Sequence, residues 1–560
     1  MHAVPPFGAL DLVFGATILA RPFLMLLALV LPAVAAWTFA RGGARDGLYL
    51  AAFAASMALV LMSTSVAAFL FSWELMALLS ALLIGSAHAS SSVRRALFSY
   101  TVVGQLGALC IAGAFAILAV HGASTHFENL IAAATTLPAG ARAWAFALAL
   151  IGFGSKAGLA PLHFWLPRAH PAAPANVSAL LSGVMLAVAL YGLMLSAFAL
   201  AAPLTPLFGF ILIAVGVLSA IVGALYAALD SDVKRLLAYS SIENTGISVT
   251  ALGVAILAQL DDAPSLAALA IVAALFVALN HGLFKSLLFL GAGTIVQTAG
   301  TSDLEALGGL FRALRFTTPA IFLACMAASA LPPTNGFASE WLVFSALMHA
   351  VAGGHFSVLL RSGAALALTG LGFASGFAAL AFAKFFGVGF LGRARAVQQP
   401  APVESIDASF FGFVWLGALI ATIGLVPLLA LKPLADVASA IALAQPETYA
   451  PLPTLPALVA MLPFVGGALA IAYARLRKVR EVPTWTCGSE VTVRAQYTAG
   501  AFSNPLRRIV ARVIPRSSER TVGVMVQRIA RKTRIVQSGL LRVYVAYAVC
   551  AVILVLALAR

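Results

Sequence analysis

The chain has 560 residues, of which 62% are hydrophobic and 9% charged. Too little polar side chain remains to clothe a soluble domain, and many continuous apolar runs reach the roughly 20 residues that cross a bilayer. The formal charge of +15 is no nucleic-acid footprint, because fourteen Lys and Arg crowd residues 475–540 against only Glu481, Glu490 and Glu519, the mark of a loop kept on the cytoplasmic side.

In chain order, about fourteen spans are predicted: 23–40, 47–63, 66–86, 94–120, 142–166, 175–200, 206–229, 235–258, 264–297, 316–349, 361–391, 409–431, 454–475 and 541–559. The fold class is therefore an all-α polytopic membrane protein, and continuous rather than alternating hydrophobicity excludes a porin-type barrel. The first span imitates a signal peptide but lacks a convincing cleavage site and is read as a retained helix. With the N-terminus outside, the loops carrying Arg41/Arg45, Arg94/Arg95, Arg168, Lys234/Arg235, Arg312/Arg315 and Arg393/Arg395 all fall inside, and so does the basic 476–540 segment. The C-terminus then falls outside, in a multi-pass protein of the bacterial inner membrane. Within the basic segment, Val522, Met525, Val526, Ile529 and Val536 share one face at helical spacing. Either a helix lying on the membrane surface or a solvated basic loop accounts for them.

Two spans are interrupted. "GFGSKAGLAPLHFWLPRAH" places Lys156, Pro161, His163 and Pro167 within a dozen residues of the fifth, and "ALPPTNGFASEW" places Pro332, Pro333, Gly336 and Glu340 in the tenth. A broken backbone strands hydrogen-bonding groups where lipid offers none, and an embedded charge costs roughly 2.5–3.5 kcal/mol on insertion scales. The two interrupted spans run in opposite directions, each beside an ionisable residue, which is the pattern of two inverted-topology repeats with a broken helix in each.

Other charges sit at membrane depth. Of 34 basic residues only seven are lysines, yet Lys156, Lys285 and Lys384 lie well inside apolar runs and Lys234 opens one. Arginine keeps its proton everywhere, whereas desolvated lysine exchanges it, so this usage fits proton transfer. The embedded acids are Glu74, Glu243 and Glu340, and His281 shares a helix face with Lys285 four residues on. The cysteines (Cys110, Cys325, Cys487, Cys550) are scattered and no Gly-rich phosphate loop follows a strand, so no metal, iron–sulfur or nucleotide site is expected and no cofactor is assigned to this chain.

The stretches "SWELMALLS", "SKAGLAPLHFWLPRAHPAAP", "SDVKRLLAYSSIENTGI", "NHGLFKSLLFLGAG" and "LPPTNGFASEW" resemble, in order, the antiporter-like proton-channel family. That family comprises the large membrane subunits of complex I, Mrp-type cation/proton antiporters and their hydrogenase relatives. "ENTGI", "HGLFKSLLFLGAG" and the tail "TWTCGSEVTVRAQYTAGAF" are most similar to the hydrogenase-4 and formate hydrogenlyase branch. The resemblance implies a glutamate–lysine pair Glu74/Lys156 in a first half-channel, a central axis of Lys234, His281 and Lys285, and a terminal proton site at Glu340. Glu243 and Lys384 match the hydrogenase branch. It further implies other membrane subunits and a peripheral redox arm with iron–sulfur or hydrogenase subunits as partners, with protons (or Na+) as the transported ion.

On this reading residues 1–65 are N-terminal helices, 66–229 and 230–391 the two half-channel repeats, 392–475 C-terminal helices, 476–540 the basic segment and 541–560 a last span. The chain departs from the family in three places. Ala187 stands where a bridging lysine is usual, Gln105 replaces the acidic partner of Glu74, and only two spans precede Glu74 instead of four. Ordered water held by Ser178, Ser182, Tyr191, Ser240 and Ser241 is the expected bridge across the Ala187 gap. The leading function is a proton-translocating subunit of a respiratory or hydrogenase-type oxidoreductase complex, non-catalytic itself. The alternatives are a subunit of a cation/proton antiporter or ion-coupled uptake complex, and a structural anchor whose relay has decayed.

Overall fold

The computed structural model describes residues 12–87, 90–393, 406–446 and 496–513, with a few isolated positions between them. The predicted spans 454–475 and 541–559 and the amphipathic stretch 522–536 lie outside the described residues. The described part is built from helices: α1 (Arg21–Arg41), α2 (Ala44–Met62), α3 (Val66–Ile84), α4 (Ser91–Gly122), α5 (Phe127–Ala133), α6 (Ala139–Ala157), α7 (Leu166–Ala172), α8 (Ala175–Leu180), α9 (Leu186–Leu195), α10 (Pro206–Leu229), α11 (Val233–Leu260), α12 (Pro264–Ala299), α13 (Leu310–Ala313), α14 (Thr318–Ala328), α15 (Asn335–Ala352), α16 (Val358–Phe390), α17 (Ala408–Leu425), α18 (Leu428–Ala442) and α19 (Ala499–Val513). Among the described residues ten helical segments are long and apolar enough to cross a membrane, and α2 and α14 are shorter apolar helices.

These elements meet the first twelve predicted spans, with three physical differences. The tenth is two helices, α14 and α15, and not one. The twelfth ends at Leu425, because Val426 leaves helical geometry before Pro427 and a separate helix, α18, begins at Leu428. Helix α19, inside the basic segment, has no counterpart among the predicted elements; its Ala499, Phe502, Ser503, Leu506 and Val510 side is covered while Arg507, Arg508 and Ile509 are exposed.

Helices α11 and α12 form the centre, the apolar stretch of each being buried throughout. Small residues allow α10 to press on α11: a Cβ at Gly216 would lie 2.7 Å from the Gly246 carbonyl oxygen, and one at Gly223 would lie 2.5 Å from the Glu243 amide nitrogen. Close backbone approach replaces the hydrophobic drive that lipid cannot supply between helices. It also seals the side of α11 that carries Glu243.

Both breaks have their freed polar groups satisfied by neighbours. Helix α6 stops at Ala157, where Gly158 takes the left-handed conformation (φ +77°) and Leu159 N–H bonds back to Gly154 O at 2.9 Å. Ala160 N–H then donates to Ser219 Oγ at 2.9 Å and Trp165 Nε1 to Ser155 O at 2.8 Å. Pro161 lies in this break, whereas Pro167 stands in the first turn of α7, where its missing N–H costs nothing. In the second break, Pro332 and Pro333 lie between α14 and α15, and Leu331 N–H returns to Met326 O at 2.9 Å. Asn280 of α12 donates to Asn335 O at 3.0 Å and accepts from Asn335 Nδ2 at 3.0 Å. Gly336 is needed here because a Cβ would sit 1.8 Å from the Ala327 carbonyl oxygen.

A mid-membrane line of lysines and carboxylates

Lys156 occupies the last turn of α6, immediately before the first break, and is buried. Its Nζ donates to Tyr100 Oη of α4 at 2.6 Å and lies 4.4 Å from the centre of that ring. Tyr100 Oη also contacts Ser80 Oγ of α3 and lies 3.8 Å from Met185 Sδ. Glu74 of α3 is half-buried and accepts from Gln105 Nε2 of α4 at 3.0 Å. The charge of Lys156 reaches Glu74, but among the described residues no ion pair within 4.0 Å joins them. Helix α4 thus gives each member of the pair a neutral partner.

Lys285, mid-way along α12, is fully buried. Its Nζ donates to Ser240 Oγ of α11 and, at 3.1 Å, to Leu237 O, and it lies 5.3 Å from the ring centre of Phe382. Glu243 follows Ser240 by three residues, about 4.5 Å along α11. It is fully buried, neither carboxyl oxygen has a hydrogen-bond partner among the described residues, and the charges of Glu340 and Lys285 act on it. Glu340, in α15 just after the second break, accepts from Ser375 Oγ of α16 at 2.8 Å. His281 lies edge-on to Phe284 at 5.8 Å, its Nε2 without a partner among the described residues.

Two π-turns lie between the two lysines in the chain, Leu181–Met185, which separates α8 from α9, and Ser196–Leu200, which follows α9; the first is the one that meets α11. Such turns recur at functional sites because the widened helix turns side chains out of register. Ser182 on this turn is 2.7 Å from Ser241 Oγ of α11, and Ser241 donates to Leu237 O at 2.9 Å, the carbonyl that also receives Lys285. Of the expected bridging groups, Ser182, Ser240 and Ser241 therefore meet. Ser178 instead donates to His170 O at 3.2 Å, and Tyr191 packs edge-on against Phe23 at 5.6 Å, away from them.

Lys234 and Lys384 are placed differently. Lys234, at the start of α11, donates to Ala173 O at 2.9 Å, and lies six residues, about 9 Å, from the level of Ser240. Lys384 donates to Ala227 O (3.3 Å), Ala228 O (2.6 Å) and Asp230 O (2.5 Å), the orphan carbonyls at the end of α10, and to Ser503 Oγ of α19 (3.3 Å). It caps a helix and joins neither carboxylate. Sequence reasoning passed over Tyr100 and His170, the latter fully buried and stacked on Phe289 at 4.5 Å with neither ring nitrogen bonded to a described residue. His170 was visible in the "LPRAHP" stretch; Tyr100 carried no local signal beyond lying five residues before Gln105.

Residues 63–366 match the family of NADH:quinone oxidoreductase/Mrp antiporter transmembrane subunits. The chain belongs to that family. It is similar to hydrogenase-4 component B of Escherichia coli, 35% identical over 467 residues that cover 73% of this chain and 68% of the relative. It is also similar to formate hydrogenlyase subunit 3 of Escherichia coli, 35% identical over 383 residues that cover 68% of this chain and 62% of that one. Its fold is shared with a chain of the membrane-bound sulfane sulfur reductase, an archaeal respiratory membrane complex, at a TM-score of 0.75 over 98% of this chain and 89% of the other, with 24% identity. Members of this antiporter-like family are multi-pass membrane proteins, and the apolar helices here agree with that membership.

Proposed function

We propose that this chain is the proton-translocating membrane subunit of a respiratory or hydrogenase-type oxidoreductase complex. Glu74 and Lys156 form its first half-channel. Glu243, His281, Lys285 and Glu340 form the second, and Lys234 lies at the inner end of the central helices. The repeats span 66–229 and 230–391. Redox energy comes from partner subunits bearing iron–sulfur or hydrogenase centres, and this chain carries no cofactor. The protein lies in the bacterial inner membrane with both termini outside and the basic segment in the cytoplasm. One observation supports the reading: two helix breaks, after α6 and before α15, each adjoin an ionisable side chain, Lys156 and Glu340. Polar groups so deep are costly, and where they occur they mark ion pathways.

The mechanism follows from keeping the charges unpaired. A lysine held by a salt bridge is locked in its protonated form, whereas one held by neutral oxygens can release and regain its proton as neighbouring charges change. Glu74 accepts from Lys156, Lys285 exchanges with Glu243, and Glu340 completes the line. Reconstitution of the purified complex in vesicles tests this. Lys156→Ala should assemble and carry out electron transfer without acidifying or alkalinising the lumen; normal pumping by that variant would end the proposal. The family also contains Mrp antiporters, so a cation/proton antiporter subunit is the second reading. Na+ flux driven by a pH gradient with no electron donor present would favour it. Single cysteines at Ser302 and Ser357 should label from the cytoplasmic and outer sides respectively, which tests the orientation separately.

A further inference from the structure

The four embedded lysines divide by what holds them. Lys156 rests on a hydroxyl, Tyr100 Oη, and Lys285 on a hydroxyl and a carbonyl, Ser240 Oγ and Leu237 O, each with an aromatic face close by, Tyr100 itself at 4.4 Å and Phe382 at 5.3 Å. Lys234 rests on a backbone carbonyl, and Lys384 on three carbonyls and Ser503. The chemistry of these acceptors differs. A carbonyl or carboxylate oxygen only accepts, so it holds an ammonium and has nothing to offer a neutral amine. A hydroxyl accepts from the ammonium and, by turning its own hydrogen, donates to the amine nitrogen. The ring face adds attraction for the cation without an ion pair.

We propose that Tyr100 is the resting dock of Lys156, a positioning residue that holds this lysine off Glu74 in both of its protonation states. The inference rests on the proton-translocating reading above and assigns a role to a residue outside the lysine–glutamate line. Ser80 fixes the starting geometry. Its hydroxyl donates to the carbonyls of Met76 (2.7 Å) and Ala77 (2.9 Å), so at its contact with Tyr100 it is the acceptor; the phenol hydrogen is shared between Ser80 and the more distant Met185 Sδ (3.8 Å), while the phenol oxygen receives Lys156. Transfer proceeds when Lys156 leaves the phenol for Glu74 and one N–H proton passes to a carboxylate oxygen, leaving a neutral amine and a carboxylic acid. The amine returns to Tyr100, whose hydrogen swings from Ser80 to the amine nitrogen. Four elements hold the phenol still for this exchange: α3 through Ser80, α6 through Lys156, the π-turn through Met185, and Trp165 beyond the first break, edge-on at 5.2 Å. Ser240 stands in the same relation to Lys285.

Tyr100→Phe keeps the ring and its packing and removes only the dock. In the reconstituted complex it should slow proton translocation about tenfold, the kinetic equivalent of losing one hydrogen bond to a charged group. Lys156 should then settle on Glu74, shifting the infrared carboxyl bands of Glu74, which are assigned by their disappearance in Glu74→Gln. Unshifted bands would overturn the dock whatever the rate, and a wild-type rate with shifted bands would overturn its importance for transport. Ser240→Ala should slow transport as Tyr100→Phe does, and Ser240→Thr, which restores a hydroxyl, should recover it; equal rates in the two would limit Ser240 to packing and sink the parallel. Lys156→Ala serves as the control. If it pumps normally the translocation reading fails, whereas if it is dead and Tyr100→Phe is indistinguishable from wild type, the dock alone fails.

Discussion

The two proposed half-channels solve one problem with different materials. In the first, both ionisable groups are given neutral partners by a single helix: α4 offers Tyr100 to Lys156 and Gln105 to Glu74. In the second, the partners come from different helices, Ser240 and the Leu237 carbonyl of α11 for Lys285 and Ser375 of α16 for Glu340, and an additional acid, Glu243, has no partner among the described residues. The first set lies on partly exposed helices, whereas Lys285 and Glu243 of the second lie on α11 and α12, buried throughout their apolar stretches, with Ser375 reaching in from the partly exposed α16. The difference teaches that an embedded charge is not necessarily paired with an opposite one. A buried ion pair, once formed, is costly to break and would be static. Here each lysine is left among neutral acceptors and the carboxylates are kept within electrostatic reach, an arrangement that can change state at low cost.

The largest effect should come from variants that keep charge but forbid its exchange. Lys156→Arg and Lys285→Arg retain a cation that cannot deprotonate in a protein, so each should abolish translocation as completely as the corresponding alanine, with the complex still assembled. Glu340→Gln should do the same. Vesicle acidification per electron transferred measures all three. An active Lys285→Arg beside an inactive Lys156→Arg would break the symmetry between the halves and restrict proton exchange to the first. Next in size is Glu243→Gln, which preserves shape and removes the acid that has no equivalent in the first half-channel. It should lower the translocation rate by about a hundredfold, the lower end of what one positioned proton-transferring group commonly contributes. A smaller loss than that of Tyr100→Phe would make Glu243 an accessory to the line.

Much of this was legible in the sequence, for identifiable reasons. Prolines and a lysine inside one apolar run have few explanations in lipid, so both breaks and their neighbouring Lys156 and Glu340 could be read from residue order. Helix α12 announced itself by an unbroken apolar stretch, and His281 and Lys285 by their spacing. What stayed hidden depends on contacts between distant segments. Nothing local to "LFSYTVV" says that Tyr100 will meet a lysine 56 residues away. Lys384 read as a relay residue from its apolar flanks and its resemblance to the hydrogenase branch; what residue order could not show is that it meets the carbonyl end of α10 and a helix of the basic segment more than a hundred residues on. The π-turn was equally hidden, because Leu181–Met185 has ordinary helical composition and departs from α-geometry only in the packed protein.

The smallest predicted effect concerns the seam between the halves, where Ala187 stands in the place of the family's bridging lysine. The gap is narrower than the substitution suggests. Ser182 of the π-turn and Ser241 of α11 are in hydrogen-bond contact, and the carbonyl that takes Ser241's hydrogen also takes Lys285's. Because Ser241 spends its hydrogen on Leu237, Ser182 donates at that contact, and the same turn meets Tyr100 through Met185 Sδ at 3.8 Å. Two alanines in place of these serines would leave helices and packing almost unchanged while removing both hydroxyls, and should slow exchange between the half-channels by about three- to tenfold, within the worth of one or two neutral hydrogen bonds. Ala187→Lys should not repair that loss. Ala187 is buried on a helix whose residues are all enclosed, so a lysine there meets an overpacking cost of about 1–3 kcal/mol and an embedded charge besides, and the yield of assembled complex should fall. Proton flux after a single turnover, compared among wild type, the double alanine variant and the double alanine variant carrying Ala187→Lys, decides it. Unchanged flux in the double variant would mean that the halves run independently, and restored flux on adding the lysine would mean that the bridge is electrostatic and not made of hydroxyls.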